Sequence, residues 1–354
     1  MAGTLEHMVS DGLEEVAYGY DADTGLRTIV AVHSTALGPA LGGTRFWPYP
    51  DEASALVDVC RLARGMTYKH AAAGLDQGGG KAVILGDPAR HRTDALMLAY
   101  GRFVDGLAGR YVTAEDVGTT QADMDLVSSV TAHVAGVSLA RGGSGDPSPA
   151  TAMGVLWAMR AVAERLWGSA SLEGRHVCID GVGKVGGALA DHLHAAGARL
   201  TVADLRPAAT AAVVARTGAA VVTADRAHAV VCDIFSPCAL GGSLSAQTIP
   251  ELGAAAVVGS ANNQLATAED AQRIDASGVL YAPDYIVNAG GVINIAEERH
   301  GYDRARADDR IRGIHDTVLR VLDLAAAERI PTALAADRLA ERRIEAARVT
   351  VRAG

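Results

Sequence analysis

The sequence is almost without lysine. Of its 32 basic residues only Lys69, Lys81 and Lys184 are lysines, so 32 − 3 = 29 are arginines. Aromatic residues make up 4% of the 354, so a core has to be assembled from Ala, Val, Leu and Ile. The four cysteines (Cys60, Cys178, Cys232 and Cys238) are scattered and form no CxxC pair. That excludes a paired-thiol motif and leaves free thiols in a reducing cytoplasm as the expected state. Eleven histidines give no HExxH. His192 and His194 stand two apart, which on a helix turns them to different faces, so no metal site is expected. A net charge of −9 leaves no basic stripe for nucleic acid. No apolar run reaches the roughly 18 residues of a membrane span. The start, "MAGTLEHMVSDGLEE", lacks a basic region followed by an apolar one, so no signal peptide is expected and a cytoplasmic location is.

What is present is a globular balance, 49% hydrophobic and 21% charged, at a length that suits about two domains. In the N-terminal part "LRTIVAVHST" (27–36) reads as a strand and "DEASALVDVCRLARGMTYKHAAA" (51–73) has helical apolar spacing. "KAVILGD" and "RYVTAED" read as short buried strands around the helical "RTDALMLAYGRFVDGLAG". The Gly/Pro/Ser-rich start of "GGSGDPSPATAMGVLWAMRAVAERLW" (142–167) marks a boundary before a long helix. Beyond it the apolar runs 176–180, 199–204, 220–225, 229–235, 255–261 and 278–284 alternate with helical segments, the pattern of a doubly wound parallel sheet. The expected fold class is therefore α/β in two domains. An N-terminal α/β catalytic domain covers 1–145 and a Rossmann dinucleotide-binding domain covers 146–330. The helical tail, about 331–354, is expected to pack back on the first.

In "VCIDGVGKVGGALADHLHAAGARLTVADLR", Gly181, Gly183 and Gly186 form GxGxxG between a strand and a helix. Val182, Lys184 and Val185 fill the same loop, which would cradle a pyrophosphate at the helix N-terminus. Asp204 ends the next strand, 204 − 186 = 18 residues after the last glycine, where a carboxylate accepts from ribose hydroxyls and repels a 2′-phosphate. The cofactor expected is NAD, with Arg206 the one feature that favours NADP. Asp180, immediately before the first glycine, puts a second carboxylate where an anionic cofactor belongs, and nothing in the sequence accounts for it.

Two of the three lysines, Lys69 and Lys81, mark chemistry, and Lys184 serves the glycine loop electrostatically. Guanidinium stays charged, whereas an ammonium can lose its proton when desolvated or set beside another cation. Lys81 follows a triple glycine in "AGLDQGGGKAVILGD", and Lys69 lies twelve residues upstream in "GMTYKHAAAG". A site that needs a base beside flexible backbone cannot accept arginine.

"STALGPALGGTRFWPY", "LARGMTYKHAAAGLDQGGGKAVI", "YVTAEDVGT", "GGSGDPSPATA", "GVGKVG", "PCALGG", "SANNQLA" and "YAPDYIVNAGGVINIAEE", in this order over nearly the whole chain, resemble the Glu/Leu/Phe/Val dehydrogenase family, most of all its bacterial valine and leucine members. The resemblance implies a cleft between the two domains, a homo-oligomer, and reversible NAD-dependent deamination of an L-amino acid to its 2-oxo acid and ammonia. By motif it makes Lys81 the base that activates water and Lys69 the cation that holds the substrate carboxylate. Asp116 becomes the proton shuttle, and Gly42 and Gly43 backbone contacts beside the carboxylate. Asn263 becomes a substrate or nicotinamide contact, and Thr151 a neighbour of the nicotinamide. Leu41, Val292 and Ile295 would surround the substrate side chain. All three are apolar and would leave a buried γ-carboxylate without a partner, which favours valine, leucine or isoleucine. Two alternatives stand beside this: an aromatic or specialised amino-acid dehydrogenase of the same family, and a non-catalytic NAD-binding oligomer. Intact Lys69, Lys81 and Asp116 speak against the second.

Overall fold

The first sheet contains β1 (Glu15–Asp21), β2 (Leu26–Ser34), β3 (Ala40–Trp47), β4 (Gly78–Leu85) and β5 (Tyr111–Glu115), in the order β1-β2-β4-β3-β5. The pairs β1–β2 and β2–β4 are antiparallel, β4–β3 and β3–β5 parallel. β2 is buried at every position but Arg27. Leu26, Val30 and Val32 enter the core built with the helix Asp94–Gly106, and Ile29 and Ala31 enter the one built with the helix Glu52–Ala72. A strand whose alternate side chains fill two cores is the middle of three layers.

Two features of this sheet differ from the pattern in the sequence. β3 carries Gly42 and Gly43 at its centre, which hides its alternation. β4 begins at Gly78, so the triple glycine lies in the strand and not in a loop before it. The reason is close packing. A Cβ on Gly79 would stand 2.0 Å from Thr67 N on the helix Glu52–Ala72, and one on Gly42 would stand 1.8 Å from the Gly80 carbonyl oxygen.

The second sheet is wholly parallel and contains β6 (His176–Asp180), β7 (Arg199–Ala203), β8 (Ala220–Val221), β9 (Cys232–Pro237), β10 (Ala254–Val257) and β11 (Leu280–Tyr281), in the order β11-β10-β9-β6-β7-β8. Counted from β6, the chain winds out one way through β7 and β8 and then the other way through β9, β10 and β11. That is the order of doubly wound dinucleotide-binding sheets, with the switch point at β6 and β9. Several strands are shorter than their apolar runs: "AVVTAD" contributes only Ala220–Val221.

The computed structural model describes residues 3–353 and has two units. The first takes the chain up to Asp146, a return over 295–304 and the chain from Ala340 onward, and the second takes 147–294 and 305–339. Among the described residues no helix is long and apolar enough to cross a membrane.

Candidate active site

The pleat of β4 turns Gly79, Lys81 and Val83 to one face, and that of β3 turns Leu41, Gly43 and Arg45 to the same side. The helix Glu52–Ala72 covers this face: Val83 packs in its core, Arg45 Nη1 donates to Asp58 Oδ2 at 2.8 Å, and Gly79 lets Thr67 approach. The helix starts with Asp51 accepting from Ser54 N at 2.7 Å and carries Lys69, half-buried, in its last turn. Arg343 meets the end of this helix: its Nη1 donates to Ala71 O at 3.3 Å and, just beyond the helix, to Leu75 O at 2.6 Å, and its Nη2 donates to Asp76 Oδ1 at 2.7 Å. His70 is fully buried and bonded to Gly78 O at 2.7 Å, which ties the helix end to β4. Burial pushes the His70 imidazole down to about 4, so it is neutral.

Lys81 is 6% exposed, and its Nζ lies 2.6 Å from Asp116 Oδ2. Arg45 Nε lies 3.4 Å from the same oxygen. The approaches are close but poorly aligned: among the described residues neither Asp116 Oδ2 nor Arg45 Nε has a well-directed hydrogen-bond partner. Burial pushes the Asp116 carboxyl up, but the Lys81 ammonium and then the Arg45 guanidinium outweigh it and hold it below the ordinary carboxylate range. The turn after β5 fixes this carboxylate. Asp116 N donates to Thr119 Oγ1 at 2.9 Å, Thr119 Oγ1 donates to Thr44 O at 2.9 Å, and Phe46 N donates to Val117 O at 2.8 Å. A Cβ on Gly43 would stand 2.7 Å from Asp116 Cβ, so this glycine makes the room that Asp116 occupies. Gly42 plays a different part, with its carbonyl accepting from Tyr111 OH at 2.6 Å.

Behind β3 lies a buried hydroxyl network that the sequence did not disclose. Thr44 Oγ1 bonds Tyr100 OH at 2.5 Å and Thr113 Oγ1 at 2.6 Å, and Tyr100 OH bonds Thr113 Oγ1 at 2.9 Å. Burial pushes the Tyr100 hydroxyl up to about 12 and raises that of Tyr111 well above the ordinary value, so both stay protonated. The network braces the glycine segment of β3 from the far side. Its only trace in the sequence is two tyrosines in otherwise apolar runs.

Leu41, Ala114, Ala135 and Ile295 form a small apolar cluster with Val112 against it. Two expected pocket residues, Leu41 and Ile295, thus meet in the first unit. Ala114 and Ala135 join them and were not foreseen, since alanines carry no signal. Val292 is half-buried and belongs to the second unit.

In the second unit β6 ends at Asp180, and the helix Lys184–Ala195 begins after the glycine loop. Gly181 has φ +96, a conformation that favours glycine. A Cβ on Gly186 would stand 1.9 Å from Gly181 O, so the third glycine brings helix against strand. A Cβ on Gly183 would meet nothing nearer than Arg206 Nη2 at 3.8 Å, which leaves its face open. Lys184 and Val185 open the helix, Lys184 exposed and Val185 half-buried. The geometry fits a dinucleotide: a tight turn, an open glycine and backbone N–H groups at a helix N-terminus.

Asp204 braces the loop. Its Oδ2 accepts from Val182 N at 3.0 Å, and its Oδ1 accepts from Arg206 N at 2.9 Å and Arg206 Nε at 3.2 Å. Burial pushes its carboxyl up, but the Arg206 and Val182 donors hold it below the ordinary range. Asp180 is placed by parallel register beside Ala203, next to Asp204 in the chain. Burial and then the Asp204 charge push its carboxyl up to about 6, with His228 opposing. Its side chain has no hydrogen bond or ion pair among the described residues.

Thr151 Oγ1 donates to Pro147 O at 3.0 Å, and a Cβ on Gly291 would stand 2.6 Å from that hydroxyl. Asn263 is exposed with φ +53, and its carbonyl accepts from Gly242 N at 2.7 Å. The neighbouring Asn262 Oδ1 accepts from buried Asn288 Nδ2 at 2.7 Å, a further residue that motif reasoning missed.

Residues 14–133 match the family model described as Glu/Leu/Phe/Val dehydrogenase, dimerisation domain. Residues 142–208 and 205–349 match the model described as Glutamate/Leucine/Phenylalanine/Valine dehydrogenase. A leucine dehydrogenase of Geobacillus stearothermophilus is 51% identical over 344 residues, which cover 97% of this chain and 94% of that protein. A valine dehydrogenase of Streptomyces coelicolor is 50% identical over 348 residues, 98% of this chain and 96% of that one. Among solved structures, an L-tryptophan dehydrogenase from Nostoc punctiforme superposes with a TM-score of 0.87 at 41% identity, covering 97% of this chain and 99% of that one.

Proposed function

The chain belongs to the Glu/Leu/Phe/Val dehydrogenase family, a pyridine-nucleotide-dependent family, and from that premise we propose that it catalyses the reversible oxidative deamination of a branched-chain L-amino acid. Valine, leucine or isoleucine gives its 2-oxo acid and ammonia, with NAD as the oxidant. The observation that carries this is the pair of buried Lys81 and half-buried Asp116 beside the Leu41–Ile295 cluster. The Leu41–Ile295 wall is apolar, so it suits an aliphatic side chain.

When bound, the nicotinamide supplies the acceptor for the hydride leaving Cα. The rest falls to this chain's residues. Lys69 holds the substrate carboxylate, and the backbone at Gly42 and Gly43 lies beside it. Lys81 takes the proton from the water that attacks the imine, and Asp116 relays a proton to the departing amine. Val182, Gly183, Lys184 and Val185 hold the pyrophosphate, with Gly181 and Gly186 shaping the loop. Thr151 and Asn263 serve the nicotinamide end. NAD is favoured over NADP because the Asp204 carboxylate sits at the end of β7 and Arg206 is already bonded to it. The reading extends to a homo-oligomer: β1 is an edge strand that leaves Tyr18 and Tyr20 exposed. A cytoplasmic setting agrees with four free thiols.

The test is NADH formation with each of twenty L-amino acids, repeated with NADP. Turnover confined to aliphatic branched substrates with NAD supports the proposal. Turnover only with aromatic substrates, or equal turnover with NADP, contradicts it.

A further inference from the structure

Gln77 immediately precedes β4 and lines the same cavity as Leu41, whose register partner on β4 is Gly79. It is 8% exposed, yet its carboxamide makes no hydrogen bond among the described residues, and Oε1 is buried without a donor. A buried amide left unbonded is unfavourable by roughly 1–3 kcal/mol, so such a group is rarely idle.

Its surroundings give it a partner. Gln77, Leu41, Val112 and Ile295 line one cavity of about 700 Å³ in the first unit, with charged residues, Glu298 and Arg299 among them, on the same lining. Leu41 and Ile295 are the residues proposed to face the substrate side chain, so the cavity is continuous with that wall. It is larger than an isopropyl or isobutyl group fills, and within the range of small-molecule sites. Four residue steps lead from Gln77 to Lys81, about 13 Å between Cα atoms at roughly 3.3 Å each. A substrate whose α-carbon lies by Lys81 reaches toward Gln77 only with a long side chain.

We propose that Gln77 is a specificity-determining residue whose carboxamide hydrogen-bonds a neutral polar group at the far end of a long aliphatic side chain, so that ω-hydroxy amino acids are substrates beside the branched ones. The inference rests on the amino-acid dehydrogenase function proposed above. A carboxamide both donates and accepts, as does a hydroxyl, so the pair satisfies both partners.

The test compares kcat/KM for 6-hydroxynorleucine with norleucine, and for 5-hydroxynorvaline with norvaline, in the wild type and in Gln77→Leu. Taking the ratio within each enzyme removes any general effect of the substitution. Gln77→Leu should lower the hydroxylated-to-plain ratio about tenfold for at least one pair, the worth of one hydrogen bond to a buried group. Gln77→Met, of similar length, should do the same and serves if the leucine variant does not fold. A ratio that neither substitution changes overturns the inference. Norvaline turnover by the wild type tests the reaction class separately: its loss together with that of valine and leucine would remove the dehydrogenase function itself, whereas normal norvaline turnover with an unresponsive ratio removes only the role of Gln77.

Discussion

Lys81 Nζ stands 2.6 Å from Asp116 Oδ2, and Arg45 Nε stands 3.4 Å from that same oxygen. One carboxylate is thus shared by the proposed base and a permanent cation. The arrangement keeps Asp116 ionised while leaving its oxygen without a well-aligned donor. Asp116→Asn keeps the volume and removes the proton acceptor. Its kcat should fall by about 10²–10⁴, the usual share of general acid–base catalysis, with a smaller change in KM for the amino acid. Steady-state kinetics with saturating NAD measure both, and an unchanged kcat would exclude a proton-transfer role.

Gly79 tests the packing that holds Lys69. A methyl group there would stand 2.0 Å from Thr67 N. Gly79→Ala must push the helix Glu52–Ala72 away from β4, a destabilisation of about 1–3 kcal/mol. Thermal melting should show a lower Tm, and KM for the amino acid should rise because Lys69 rides on that helix. A variant with wild-type Tm and KM would mean that the close approach does not position the lysine.

Asp180 predicts a pH dependence of cofactor affinity. Its carboxyl titrates near 6 and faces Asp204 and His228. Below that pH it is neutral, and above it a second negative charge meets the anionic cofactor. NADH affinity should therefore weaken by about 3- to 10-fold as pH rises through 6, by the ordinary size of a like-charge interaction. Asp180→Asn should flatten the profile, with His228→Gln as the control for the opposing charge. Fluorescence titration of NADH from pH 5 to 8 reads it, and a slope identical in wild type and Asp180→Asn would assign the dependence elsewhere.

His70 predicts a pH dependence of stability. Its folded-state value near 4 lies below the ordinary 6.5, so the unfolded chain binds more protons between them. Stability on this account is fully present above pH 6.5 and is lost as pH falls toward 4, by an amount on the order of 3 kcal/mol. Urea unfolding across that range, compared with His70→Asn, measures the contribution. A variant with the same pH slope as the wild type would contradict it.

The glycine loop between β6 and its helix, and the position of Asp204 after β7, were legible because each is a local pattern. The parallel sheet was legible for the same reason, as a succession of short apolar runs. β3 was not: Gly42 and Gly43 break the alternation that marks a strand, and their packing partners, Gly80 and Asp116, are distant in sequence. Nor could local pattern show that Ile295 meets Leu41, that Tyr111 bonds the Gly42 carbonyl, or that Ala114 and Ala135 line the wall. Those relationships depend on strand register and long-range packing. Gln77 is the sharpest case, an unremarked polar residue whose lack of a partner exists only in three dimensions.

The central claim is that Lys81 acts as a base and not as a fixed charge, and Lys81→Arg tests it most directly. The substitution keeps a cation beside Asp116 and removes the group that can give up its proton to act as a base. The account predicts that kcat for valine or leucine falls by several orders of magnitude while the NADH dissociation constant, measured on the same protein, stays near the wild-type value. A Lys81→Arg enzyme that kept most of its kcat would show that charge alone is required there, and the proposed mechanism would be wrong.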